Sequence, residues 1–232
     1  MKKLFIALAF LLLLSTNAFA VDTITVLDGL TNAHAAATST MWFVDSATNG
    51  SGAVGQYTVN IPDSANRVRI VYDNTHASAA DVFTRARISG ITAISTLTKA
   101  VAAVDAWAEV AQGATGIREG ATVDVSGYFQ AILHIDVCLS EAVAETTGAT
   151  VYIEVSSNTS GDEDWRTLTS LGGPAATAET EALSADEAAG QTILSVTNPT
   201  TNNLDNPSRF IFFEDNTVAN SEIVFQVTNE GD

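Results

Sequence analysis

From residue 56 to residue 61 the chain reads QYTVNI, with Tyr57, Val59 and Ile61 on one side of an extended backbone and Gln56, Thr58 and Asn60 on the other. Successive strand side chains point to opposite faces, so a two-faced run of this kind fits a strand with one side buried. The pattern recurs in RVRIVY (67–72), FQAILHIDVCL (129–139), TVYIEV (150–155) and SEIVFQV (221–227). Further strand-like runs are TITVL (23–27), TMWFVD (40–45), DVFTRARI (81–88), ATVDV (121–125), QTILSV (191–196) and RFIFFE (209–214). β-Branched and aromatic residues fill them, and Gly, Asn, Asp and Ser separate them. This predicts an all-β fold: an antiparallel two-sheet sandwich of jelly-roll type, with at most one or two short helices.

Two stretches fit the pattern less well. In LTKAVAAVDAWAEVAQG (97–113), Leu97, Val101, Val104, Ala108 and Ala111 fall at helical spacing and alanine favours helix, yet Asp105, Trp107 and Glu109 alternate with Ala106 and Ala108 as a strand would. Both assignments stay open. Residues 170–191 are rich in Ala, Gly and Glu and read as a long surface excursion; Ser184 and Glu187 match a capping box, which suits a single helical turn. The strands after it are too few to bury a core alone, so they are expected to join one sandwich domain spanning 21–232.

The chain opens with Lys2-Lys3, an apolar run from Leu4 to Leu14 and the small-x-small pattern Ala18-Phe19-Ala20. These are the three parts of a secretory signal peptide, residues 1–20, too short for a comfortable membrane span. Export, a secreted or surface location and a mature chain without a membrane span follow as expectations. Removing Lys2 and Lys3 with the leader takes the formal charge from −17 to −19. Such a surface repels nucleic acid and anionic lipid. Cys138 is the one cysteine, so no disulfide can form within the chain and stability must come from core burial, metal or assembly.

Candidate chemistry is sparse. His134, Asp136 and Cys138 share one face of a strand, but neighbours two residues apart there are about 6.5–7 Å apart, too far for a nucleophile to bond its base directly. His34 and His76 lie in loop-like contexts without zinc-binding spacing. Glu154 is the best single acid for glycoside hydrolysis, with no evident second carboxylate, and Trp42, Trp107 and Trp165 are few for a polysaccharide cleft. In SSNTSGDEDW (156–165) the acids follow the glycine, so the loop is not an EF-hand, although hard oxygens at Asp162 and Asp164 suit Ca²⁺. Arg67, Arg69, Arg85 and Arg87 are half of the mature chain's basic residues. If 67–72 and 81–88 pair as a hairpin, all four form one patch for a carboxylate-rich partner.

The runs DVSGYFQAILHIDV, GATVYIEVSSNTSGDEDW and RFIFFEDNTVANSEIVFQV resemble secreted or virion-type β-sandwich structural proteins over roughly residues 120–230. The resemblance rests on strand pattern and the acid-Trp turn, and it implies no site residues. The expected function is that of an exported, non-enzymatic structural protein, a homo-oligomeric or polymeric subunit of a filament, lattice or adhesive. A calcium-dependent carbohydrate-binding module, with a polysaccharide partner, is the alternative, and a glycosidase the third reading. Residues 21–39 are expected to act as a terminal strand, with Ile24 and Val26 inward, on a loose tether.

Overall fold

The computed structural model describes residues 22–43, 53–76, 81–93, 98–113, 115–141, 148–161, 164–176, 179–197 and 209–230. Their strands are β1 (Asp22–Val26), β2 (Ser39–Phe43), β3 (Val54–Ile61), β4 (Arg67–Asp73), β5 (Val82–Ala93), β6 (Thr98–Val110), β7 (Ile117–Glu119), β8 (Val123–Asp124), β9 (Gln130–Leu139), β10 (Thr150–Ser156), β11 (Arg166–Gly172), β12 (Glu179–Ala182), β13 (Ile193–Val196), β14 (Arg209–Asp215) and β15 (Glu222–Glu230). A single 3₁₀ turn, Val218–Asn220, is the helical element among the described residues. The all-β, antiparallel class is the one the alternation predicts. Among the described residues the sheets number three.

Strands β3-β9-β5-β6 form one sheet, and β11-β10-β4-β7, with β8 also on β4, form a second. All pairs are antiparallel. These two sheets pack face to face as a sandwich. Val68, Ile70, Val151 and Ile153 of one meet Ile88, Leu133, Ile135 and Val137 of the other in a continuous core. The alternation along β4, β9 and β10 is the cause: every second residue is apolar and is buried between the layers.

The third sheet runs β12-β2-β14-β15-β1-β13. Its two outer strands meet. Leu183, just after β12, bridges Val196 of β13, and Ser184 N–H and Thr197 N–H donate to the Ser195 and Ala182 carbonyls. The sheet therefore closes on itself around its own core, which includes Ile24, Met41, Phe43, Leu194, Ile211 and Phe213. The strands after residue 191 do not join the sandwich. They combine with the first two strands of the chain, and the count suffices because both ends contribute. Among the described residues of 170–191 there is no helical turn: the stretch carries β12 and the closing bridge, and Glu187 pairs with His34 through reciprocal backbone bonds.

The β3-β9-β5-β6 sheet is the middle layer. Its far face carries Phe83, Trp107 and Cys138, which pack on Phe212 from the outside of the closed sheet. Phe212 lies 5.6 Å from Phe83 and 5.1 Å from Trp107, ring centre to ring centre. This layering settles residues 98–110 as a strand. Val104 and Val110 face the sandwich while Trp107 faces the closed sheet. A strand buried on both sides places apolar residues at odd spacings, which imitates helical periodicity, and pairing along β5 outweighs the alanine propensity.

Candidate functional site

The four arginines do not form one patch. Strands β4 and β5 belong to different sheets rather than to a hairpin. Arg67 and Arg69 lie on the outside of the β11-β10-β4-β7 sheet, with guanidinium carbons 4.9 and 4.6 Å from the centre of the Trp165 ring. Arg67 Nε donates to the Asn158 carbonyl at 2.8 Å, and Arg69 Nε to Glu154 Oε2 at 2.7 Å. Arg69 Nη1 also reaches Glu119 at 3.4 Å. Glu154 is thus committed to an ion pair across register partners, and the Trp165 ring lies against two cations.

Asp162 lies outside the described residues. Asp164 is exposed, in a left-handed conformation with φ of 70°, and accepts a hydrogen bond from Asn158 Nδ2 at 3.3 Å. Among the described residues no group of three or more His, Cys, Asp or Glu side chains is placed to hold a metal.

Arg85 and Arg87 lie on the other sheet, beside Asp136. Arg85 Nε and Nη2 reach Asp136 Oδ2 at 3.0 and 2.6 Å, and Arg87 Nη2 stands 3.6 Å from the same oxygen. Arg85 also covers the Trp107 ring at 4.3 Å. Register explains the grouping: Arg85 lies opposite Asp136, and Arg87 opposite His134. His134 Nε2 is 2.8 Å from Ser89 Oγ. Cys138 is fully buried; burial, with the neighbouring Asp136 charge, pushes its thiol well above the usual range despite Arg85. So His134, Asp136 and Cys138 share a face as predicted, and each is engaged by a different neighbour. A cleft of about 400 Å³ opens here between the middle layer and the closed sheet, with Arg85, Arg87 and Trp107 on one wall and Asn32 and Ser221 on the other.

The densest polar network was not visible in the sequence. His34 is fully buried, its Nε2 2.9 Å from Glu222 Oε1 and its Nδ1 3.4 Å from Asp215 Oδ2. Ser39 Oγ donates to Asp215 Oδ2 at 2.9 Å. The backbone N–H groups of Thr31 and Asn32 donate to the Glu222 carboxylate at 2.7 and 3.0 Å. Burial alone pushes the Glu222 carboxyl up, but the bonds from His34, Asn32 and Thr31 outweigh it and hold the group below its usual range. Ser39, His34 and the two acids look like hydrolase parts, yet the serine and histidine are sealed inside the fold. They fasten residues 31–39 to β14 and β15. The stretch 31–39 is therefore not a loose tether. Leu30 enters the core of the closed sheet, and its N–H donates to the Gln191 carbonyl.

Strand β1 sits between β13 and β15 and pairs antiparallel with both. Ile24 and Val26 point into the core, as the alternation predicts. Gly29, with φ of 71°, makes the turn that follows; a Cβ there would stand 3.0 Å from the Gly190 carbonyl oxygen. No family model, curated protein or solved structure matches the chain.

Proposed function

We propose that this chain is an exported, non-enzymatic structural protein that polymerises outside the cell through its first strand. The observation that carries the reading is the place of β1. It is the first strand after the expected cleavage point between Ala20 and Val21, yet it lies inside a sheet, bonded along both edges. A terminal strand so placed can be supplied by its own chain or by a neighbour, because the slot between β13 and β15 offers the same bonds and the same core to either. Filling that slot with Ile24 and Val26 is worth about 1.5–3 kcal/mol per side chain in burial alone. Exchange from one copy to the next is a heterologous contact, which propagates as a filament unless rotation closes it into a ring.

The fastening of Leu30 onward sets the hinge at Leu27-Asp28-Gly29. Three extended residues reach about 10 Å, so exchanging copies stand in direct contact. The acidic surface opposes that contact, and screening favours it. The test is sedimentation of the exported chain over a range of salt and calcium concentrations, with its intact mass measured in parallel. The reading expects a mass beginning at Val21 and polymer that increases with salt. A chain that stays monomeric under every condition contradicts it.

A further inference from the structure

The two lateral edges of the sandwich are built differently. On one, β6 and β7 carry Asp105, Glu109, Arg118 and Glu119, and an Asp105–Arg118 ion pair of 2.8 Å joins the two sheets. On the other, β3 contains no charged residue and β11 only Arg166 at its start. Here the sheets are joined by the Tyr57 hydroxyl, which donates to the Gly172 carbonyl. Strand β3 pairs only with β9, and β11 only with β10; among the described residues no other backbone bonds their outer sides. Natural edge strands are usually protected by charge, proline or a covering element. Neither β3 nor β11 contains a proline, and a stretch nearly free of charge is conspicuous on a molecule of net charge −17.

Tyr57 and Val59 of β3 and Leu171 of β11 pack against the core but remain only partly buried. We propose that the β3/β11 edge is a docking surface for the same edge of a second copy. The occupant follows from the layering. Two open strands lie in sheets about 10 Å apart with apolar side chains between them. A single extended peptide can satisfy one strand; a second sandwich edge satisfies both and covers the apolar seam. A two-fold axis perpendicular to the sheets pairs β3 with β3 and β11 with β11, antiparallel in each case, and gives a closed, isologous contact. This contact is separate from strand exchange: exchange lengthens an assembly, and edge pairing joins two copies side by side.

The experiment isolates edge pairing by holding β1 in its own sheet. Thr25 and Ile193 are antiparallel register partners, so the Thr25→Cys/Ile193→Cys variant can be oxidised to lock β1 to β13. The mass of the oxidised chain is read by sedimentation at increasing concentration and salt. It is compared with the same chain carrying Thr58→Lys/Ser170→Lys or Thr58→Glu/Ser170→Glu, at exposed positions on the two edge strands. The locked parent is expected to approach twice the chain mass as salt rises. Both charged pairs are expected to remain at the mass of one chain, with circular dichroism and melting midpoint unchanged. A locked parent that stays monomeric overturns the proposal, as does a folded charged pair of either sign that dimerises like the parent. Failure of the unlocked chain to form polymer bears on strand exchange alone.

Discussion

His34 and Glu222 are separated by 188 residues and stand 2.9 Å apart, imidazole nitrogen to carboxylate oxygen. The contact ties the segment after the first strand to the last strand of the chain. With Asp215 on the other side of the ring, it makes one buried histidine the partner of two acids. Replacing His34 with alanine leaves both acids without that partner inside the fold. The expected loss is on the order of 3–5 kcal/mol, read as a lower midpoint in urea with an unchanged slope. A loss below about 1 kcal/mol, the range of an exposed pair, contradicts the assignment.

The same cluster sets an acid limit. The Glu222 carboxyl is held below its usual range, so it contributes stability that is fully present above its unfolded value and lost as pH falls through the folded one. Melting midpoints measured from neutral pH downward should fall in the acid range. Glu222→Gln should be less stable at neutral pH and show a shallower acid slope. A variant that retains the parent's full slope would place the acid sensitivity elsewhere.

Glu214 has the opposite sign. Burial raises its carboxyl above the usual range; the Trp42 bond lowers it, while the Glu109 and Asp81 charges raise it further. Its ionised form therefore costs stability at neutral pH, and the cost disappears as pH falls through the raised value. Glu214→Gln keeps an oxygen for Trp42 Nε1, which donates at 2.6 Å in the parent. The substitution should stabilise the protein at pH 7, with the gain vanishing in acid. Destabilisation at neutral pH contradicts this account.

Cys138 should behave as a small apolar side chain. It is fully buried against Phe83, Trp107 and Phe212, with its thiol pushed up. A thiol reagent is expected to label the native chain only at the rate of unfolding, and to label it at once in denaturant. Rapid native labelling would show that the middle layer and the closed sheet do not pack as described.

Strand content was legible because most strands bury one face. Tyr57, Val59 and Ile61, or Leu133, Ile135 and Val137, announce themselves by period two. Residues 98–110 were ambiguous because their sheet is covered on both faces, so Val104 and Trp107 are buried on opposite sides. Strand β12 was missed because Glu179–Ala182 carries no apolar alternation and is held by pairing with β2. The division into a sandwich and a closed sheet was not legible either. It depends on β1 and β2 meeting strands roughly 150–200 residues later, and local pattern carries no information about partners at that distance. The arginine hairpin failed for the same reason: chain neighbours β4 and β5 pair elsewhere. The His34 cluster is the extreme case, since its four side chains come in two pairs, His34 with Ser39 and Asp215 with Glu222, from opposite ends of the chain.

The central claim is that copies polymerise by exchanging β1, and the Thr25→Cys/Ile193→Cys lock tests it most directly. Partners directly opposite on antiparallel strands lie about 4.5–5.5 Å apart at Cα, inside the span that a disulfide bridges. The variant is purified oxidised, and polymer is followed by light scattering and negative-stain microscopy before and after reductant. The account predicts no filaments while β1 is locked, and filaments once the disulfide is reduced. Filaments that form equally well with the lock intact would contradict strand exchange.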